Sequence, residues 1–179
     1  KKLFKDVLSD ELDSIYEGIE ASPVITGYRN KMEFSFGDNI KDGPLILGMH
    51  QKKSFYNICE GKNCELVGED VREVVKITEK YFRELKASYR HRKSGKGFLR
   101  HLVIRKSYAE NKLLINLVTT SNIDEHLLNK EYTKKYIGAC SYILEPWMKE
   151  LHNTNINIAG VCHTVNDSLS DTVQYTNDN

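Results

Sequence analysis

The fold of this chain is decided by one stretch, FLRHLVIRKSYAENKLLINLVTT, at residues 98–120. Two runs rich in valine, isoleucine and leucine, Phe98 to Tyr108 and Lys112 to Thr120, flank the polar pair Glu110-Asn111. Branched apolar residues favour strands, and a short polar segment between two such runs favours a turn. The stretch therefore predicts an antiparallel hairpin at the centre of a sheet.

Further strands are predicted on both sides of this hairpin. From Tyr28 to Phe36 the sequence alternates, with Met32, Phe34 and Phe36 on one face and charged or polar residues on the other. A period of two is typical of a strand that is buried on one side. Three more strands are predicted at Leu45 to His50, at Phe55 to Ile58 and, as a buried strand, at Asn155 to Thr164.

Helices are predicted where apolar residues recur every three or four positions. This spacing occurs from Phe4 to Ile19, from Glu69 to Tyr89 and from Asp124 to about Leu151, where Pro146 predicts a kink or a new helix start. The order of elements predicts an α+β fold, a mainly antiparallel sheet with helices packed on one face.

The composition limits the class of protein. A chain of 179 residues with 40% hydrophobic residues can bury one core, and no apolar run approaches the roughly 20 residues that span a bilayer. Four cysteines are too few for a disulfide scaffold and fit a reducing compartment. We therefore expect a cytoplasmic protein without a membrane partner. The expected division is an N-terminal helical extension (1–27), a central α+β domain (28–168) and a polar tail (169–179).

One segment concentrates positive charge in a chain whose formal net charge is only +1. Between residues 83 and 106 there is a single acid, Glu84, and nine basic residues: Arg83, Lys86, Arg90, Arg92, Lys93, Lys96, Arg100, Arg105 and Lys106. Concentrated cations attract phosphates through the local field and counterion release. The segment predicts contact with a polyanion, RNA or DNA first. The alternative is a solvated basic loop beside a strand.

The predicted strands carry cations of their own. Arg29 and Lys31 lie on the polar face of the first strand, about 7 Å apart, a spacing suited to successive phosphates. In the hairpin, strict alternation places Arg100 on one face and His101 with Arg105 on the other. Ordinary surface charge on an antiparallel sheet is the competing interpretation.

Cysteines and histidines leave a second hypothesis open. The spacing of Cys59 and Cys64 suits two thiolate ligands of zinc or an iron–sulfur cluster, and three histidines lie on predicted strands (His50, His101 and His163). No second cysteine pair follows, which favours reduced, structural cysteines. The loop Ser94-Gly95-Lys96-Gly97 precedes a strand and lacks the glycine spacing of a nucleotide or adenosyl-cofactor site. A metal or thiol protein therefore remains the alternative.

Four segments together resemble a known family. Tyr28 to Ser35, Leu47 to His50, Gly97 to Arg105 and Gly160 to Asn166 are similar, in that order, to the central region of the RNA uracil-5-methyltransferases. The resemblance implies a parent enzyme that is S-adenosylmethionine-dependent and methylates ribosomal or transfer RNA, with 23S ribosomal RNA favoured. It also implies that the remaining domains of the parent chain are partners of this region.

The resemblance assigns the chemistry elsewhere. The family's nucleophilic cysteine, its glutamate base and its cofactor-binding loops belong to a C-terminal domain expected after this chain stops. The chain is thus expected to contain no catalytic residue and to be inactive alone. Some members carry an iron–sulfur cluster, and Cys64, followed by Glu65-Leu66, resembles its last ligand. The other ligands would lie upstream, so we expect no cluster in this chain.

The sequence therefore predicts an RNA-binding region. The resemblance contributes some of the candidate contacts and the basic segment the others; together they are Arg29, Lys31, Arg90, Arg92, Lys93, Lys96, Arg100, Arg105 and Asn166. A protein-interaction module, with a basic face that meets an acidic partner or another domain, is the other alternative. Each hypothesis requires that the cations gather on one exposed side of the folded chain.

Overall fold

The computed structural model describes residues 3–8, 11–41, 43–52, 57–91, 93–128 and 136–169. Six strands form one sheet in the order β3-β2-β1-β4-β5-β6. Their bounds are β1 Lys31–Gly37, β2 Ile46–His50, β3 Ile58–Glu60, β4 Leu99–Ser107, β5 Lys112–Thr119 and β6 Ile158–Val165. The predicted α+β class is confirmed.

The hairpin at residues 98–120 is the centre of this sheet, as the sequence predicts. β4 pairs antiparallel with β5 from Leu99 opposite Thr119 to Ser107 opposite Lys112. Asn111 supplies the positive φ, 51°, that the tight turn requires, which asparagine tolerates better than most residues. On its other side β4 pairs antiparallel with β1, and β1 with β2. Only β5 and β6 pair in parallel among the described strands.

Two helices, α3 (Glu69–Glu84) and α4 (Tyr136–His152), cover one face of the sheet. Their apolar stripes form a single core with the inward side chains of β1, β4 and β5; its largest members include Phe34, Phe82, Leu102, Ile115 and Trp147. Two buried hydrogen bonds join the helices: Tyr81 Oη donates to the Ile143 carbonyl at 2.6 Å, and Trp147 Nε1 to Thr78 Oγ1 at 3.1 Å. The opposite face of the sheet is left for other contacts.

The predicted helix from Phe4 to Ile19 is wrong in extent. The described part of this region contains only two short helices, α1 (Lys5–Leu8) and α2 (Leu12–Ile15). The chain then continues without regular structure, and Ile19 is exposed. An isolated helix of this length is marginal in water, and among the described residues of this stretch only Leu12 is buried, so packing adds little.

Two other helices are shorter than predicted. α3 ends at Glu84 rather than Tyr89, because Lys86 adopts a positive φ of 54° and Asp124 Oδ2 accepts the Ser88 amide at 2.6 Å. The third predicted helix begins as a 3₁₀ turn at Glu125–Leu127, and α4 starts at Tyr136. Residues 129–135 lie outside the described chain. Pro146 sits within α4 and begins no new helix.

The last strand differs in burial from the prediction. β6 is the edge strand next to β5, and all of its residues are half-buried or exposed rather than buried. Its run of apolar residues therefore does not mark a central strand. Part of the predicted strand Phe55 to Ile58 and the polar tail beyond residue 169 lie outside the described residues. Within the described helices, none is both long and apolar enough to cross a bilayer.

Candidate nucleic-acid interface

The open face is the side of the sheet opposite α3 and α4. On its two central strands it presents Lys31, Glu33 and Ser35 of β1 and His101, Val103 and Arg105 of β4. The alternation that buries Met32, Phe34, Leu102 and Ile104 against the helices places these six residues on the other side. The sequence prediction of a polar face on the first strand is confirmed.

One pair of like charges stands out on the open face. Lys31 lies directly opposite Arg105 in the β1–β4 ladder, and both side chains are exposed. Directly opposed residues have Cβ atoms about 5 Å apart, and like charges at such positions destabilise a sheet. An anion placed between the two cations would reverse that penalty. This pair is therefore the most direct indication of an anionic partner.

Arg29 precedes β1 and is exposed, and its Nη1 lies 3.9 Å from the sulfur of Met32, a side chain on the helix-covered side of the sheet. We call Lys31 and Arg105 the basic end of the open face. Lys106, the next basic residue, is not part of it: its ammonium is 2.6 Å from Asp70 Oδ2 and lies over the Tyr108 ring.

The centre of the open face is different in character. Ser35 Oγ and His101 Nδ1 are 3.2 Å apart, and the same imidazole nitrogen lies 3.8 Å from Glu33 Oε1. The ladder register brings these three side chains together, since Ser35 lies opposite His101. Sequence reasoning noted His101 but missed this cluster. The signal that could have found it is the pairing register of the two strands.

Arg100 is not on the exposed face. A β-bulge inserts it between Leu99 and His101, which lie opposite the consecutive residues Thr119 and Val118. The extra residue breaks strict alternation at this point. Arg100 is only 2% exposed, and its Nη1 donates to the carbonyls of Asn166 at 2.5 Å and Ser168 at 3.0 Å. The prediction that Arg100 shares an exposed side with the other cations is wrong.

Asn166 is also internal. It is 6% exposed, and its Oδ1 accepts hydrogen bonds from the Ser168 amide at 3.0 Å and the Ser168 hydroxyl at 2.7 Å. Arg90 Nη2 donates to the Ser168 carbonyl at 3.2 Å. Arg90 and Arg100 thus hold the segment Asn166–Ser168 directly after β6, and we call this arrangement the exit clamp. The candidate RNA contact at Asn166 is therefore a buried side chain that hydrogen-bonds within the chain.

The remaining cations of the basic segment lie in a loop before β4. His91 and Lys96 close it through a 2.7 Å backbone hydrogen bond, and Lys93 and Lys96 are exposed. Arg92 lies outside the described residues. From Leu99 to Arg105 is six strand residues, so this loop stands about 20 Å or more from the basic end. One continuous stretch of sequence is thus divided into two exposed basic groups and an internal clamp.

The cysteines and histidines do not converge. Cys59 is exposed on β3, whereas Cys64 is half-buried and packs against the core. Among the described residues, no three His, Cys, Asp or Glu side chains are grouped to hold a metal ion, and nothing there supports a cluster at Cys64. His163 packs between β5 and α4, where Thr119 Oγ1 lies 2.8 Å from its Nε2 and burial lowers its pKa.

Two clostridial proteins are similar to this chain over nearly its whole length. A protein of Clostridium tetani named as an uncharacterized RNA methyltransferase is 42% identical over 173 residues, which are 97% of this chain and 34% of that protein. A protein of the same description from Clostridium acetobutylicum is 38% identical over 173 residues, again 97% of this chain and 34% of that protein. No protein-family model matches the chain.

The solved structure of Pyrococcus abyssi tRNA (uracil-54, C5)-methyltransferase in complex with S-adenosyl-L-homocysteine is also similar. It is 29% identical, with a TM-score of 0.45, over 55% of this chain and 23% of that one. The chain is thus similar to the RNA methyltransferases from the two clostridia over nearly its whole length. It spans about a third of the length of these relatives.

Proposed function

We propose that this chain is the RNA-binding central region of an S-adenosylmethionine-dependent RNA (uracil-5-)-methyltransferase that acts on 23S ribosomal RNA in the cytoplasm. Residues 28–168 form the domain, residues 1–27 an N-terminal extension and residues 169–179 a tail. Catalysis belongs to the rest of the parent protein, and the chain alone is inactive. The remaining domains of the parent are its permanent partners.

The opposed pair of Lys31 and Arg105 carries the RNA-binding part of this proposal. A protein whose formal net charge is +1 has little general attraction for nucleic acid, so binding depends on where its cations stand. The basic end offers two exposed cations from neighbouring strands, and Lys31 falls, with the exposed Arg29, within the segment that resembles the methyltransferase family. Lys93 and Lys96 add a second basic group.

The methyl donor is assigned to the parent and not to this chain. The groove between α4 and β6, about 350 Å³, is lined mainly by apolar side chains such as Leu144, Trp147 and Val161. Dinucleotide-binding folds hold the nucleotide on a glycine-rich turn at a helix start, with an acid for the ribose hydroxyls. The described residues that line this groove include one acid, Glu145, but no glycine, so no step of the reaction is placed here.

Methyl transfer by the complete gene product tests the enzyme proposal. The protein that contains this chain is incubated with ribosomal RNA and S-adenosylmethionine labelled in its methyl group, and the RNA is digested to nucleosides. We expect labelled 5-methyluridine from 23S RNA. Label only in transfer RNA would overturn the choice of substrate, and a label at another base position would overturn the uracil-5 assignment.

RNA binding by the 179-residue chain tests the region's own role. We expect 23S fragments to bind with an affinity that falls as salt rises, because each phosphate contact releases counterions. An absence of binding, or binding insensitive to salt, would contradict the proposal. Charge reversal at Arg105 that leaves RNA affinity intact while it breaks a protein complex would instead identify an interaction module.

A further inference from the structure

We propose that the open face binds single-stranded RNA, with phosphates at its basic end and at the loop that carries Lys93 and Lys96, and with unpaired bases on its centre. This inference rests on the proposed RNA-binding function and deepens it by specifying the form of the RNA. It is carried by the charge pattern of the face, which is positive at one end, negative or neutral in the middle, and positive again beyond the start of β4.

Cations lie at both ends of the β1–β4 ladder. Lys31 and Arg105 stand side by side at one end of the β1–β4 ladder, and the exposed Lys93 and Lys96 occupy the loop at the other. The two groups are separated by about 20 Å or more along β4. A single phosphate cannot meet both, whereas a strand of several nucleotides can. The binding sites of single-strand modules are about 4–16 nucleotides long, which is sufficient for this span.

The centre of the open face carries a carboxylate between these cations. Glu33 is exposed on β1, two residues after Lys31 and on the same face of the strand. Its carboxylate lies in the path that a continuous phosphate backbone would take from the basic end toward the centre. Its neighbours Ser35 and Val103 carry no charge, and the His101 imidazole lies 3.8 Å from the Glu33 carboxylate. A phosphate over Glu33 would be repelled, so the backbone is held at the ends and the bases face the middle.

The hydrogen-bonding groups at the centre of the open face suit unpaired bases. A carboxylate accepts hydrogen bonds, so Glu33 suits a base edge that presents an N–H group, as the uracil N3–H does. His101 and Ser35 lie 3.2 Å apart beside it and can donate to or accept from the same edge. In a duplex these Watson–Crick edges are occupied, and sequence-specific RNA recognition therefore targets single strands, loops and bulges.

The chain offers a matched pair of carboxylates for the test. Glu33 lies on the open face, and Glu110 lies in the β4–β5 turn, where it pairs with Lys112 at 3.3 Å. Glu33→Gln and Glu110→Gln remove the same charge with the same change of shape. Both positions are exposed, so neither variant is expected to lose its fold, and thermal unfolding of each confirms that before binding is measured.

The experiment measures fluorescence anisotropy of a labelled uridine-rich RNA of about 12 nucleotides, free and annealed to its complement, and of a strand of about 4 nucleotides. We expect the single strand to bind at least about tenfold more tightly than the duplex, a difference of about 1.4 kcal/mol. Glu33→Gln should reduce that preference about threefold or more, and Glu110→Gln should leave it unchanged. Lys93→Gln with Lys96→Gln should weaken the longer strand only.

These measurements distinguish failure of the inference from failure of the proposed function. Equal or tighter binding of the duplex, or a preference that Glu33→Gln leaves unchanged, would overturn the inference while RNA binding itself stands. Equal weakening of the short and long strands by the loop variant would overturn the two-ended arrangement. Failure of every RNA to bind would overturn the proposed function as well as the inference.

Discussion

Arg100 and Arg105 lie five residues apart in the same strand and have opposite environments. Arg105 is exposed opposite Lys31 on the open face, whereas Arg100 is buried and donates to two backbone carbonyls of the exit clamp. The same residue type in the same basic segment thus serves a surface in one case and the fold in the other. Charge density in a sequence shows that cations are present, but the bulge and the pairing register decide which of them can reach a partner.

The largest expected effect is on stability at Arg100. Arg100→Met should destabilise the chain by about 2–4 kcal/mol, because the buried carbonyl of Asn166 and the half-buried carbonyl of Ser168 lose a charged donor. Arg105→Met, the control on the exposed face, should change the free energy of unfolding by less than about 0.5 kcal/mol. Urea denaturation of both variants measures the difference. Similar values for the two would remove the distinction between them.

The next effect is on RNA affinity at the basic end. Lys31→Gln combined with Arg105→Gln should weaken binding of a single-stranded RNA about tenfold and reduce the salt slope by about 1.4, since each single-strand phosphate contact contributes about 0.7. The variant should fold as well as the original chain or slightly better, because the opposed like charges are removed. Lys76→Gln on α3 is the control. An unchanged slope would show that this pair does not meet phosphates.

A smaller effect is expected at Arg90, the half-buried member of the exit clamp. Arg90→Gln removes the 3.2 Å hydrogen bond to the Ser168 carbonyl, which Arg100 also contacts. Because the carbonyl keeps one donor, the cost should be about 0.5–1.5 kcal/mol and less than that of Arg100→Met. Thermal unfolding of the single and double variants measures it. A cost equal to that of Arg100→Met would mean that loss of either arginine disrupts all the contacts of the exit clamp.

The smallest effect is a pH dependence at His163, next to the exit clamp. Burial lowers the pKa of this imidazole in the folded chain, so below about pH 6.5, its unfolded value, the unfolded chain takes up the proton first. Stability should therefore fall as the pH drops through this range. His163→Gln should flatten that part of the pH profile. A profile unchanged by the substitution would assign the slope to other groups.

Much of the fold could be predicted from the sequence, because local pattern and burial agree in the central strands. Alternation predicts β1, a high content of branched apolar residues predicts β4 and β5, and helical spacing predicts α3, and the structure contains all four elements. The N-terminal helix was mispredicted because helical spacing alone does not stabilise a segment that packs on little. β6 was mispredicted in burial because an apolar run does not show whether a strand is central or at an edge.

The site was predicted less well than the fold. The candidate cations Lys31 and Arg105 lie together at one exposed end, because β1 and β4 alternate regularly. The burial of Arg100 and Asn166 could not be predicted, because it depends on a contact between β4 and the segment after β6, 66 residues apart in sequence. The cluster of Glu33, Ser35 and His101 depends on register between residues 66 positions apart, which no local pattern encodes.

Arginine footprinting tests most directly whether Arg105 meets RNA on the surface while Arg100 stays buried in the fold. The chain is treated with phenylglyoxal, with and without a single-stranded RNA, and the modified arginines are identified by mass spectrometry. The exposed Arg105 should react in the free protein and be protected by RNA, whereas Arg100, at 2% exposure, should remain unreactive in both states. Reaction of Arg100 in the folded chain, or modification of Arg105 that RNA leaves unchanged, would contradict the account.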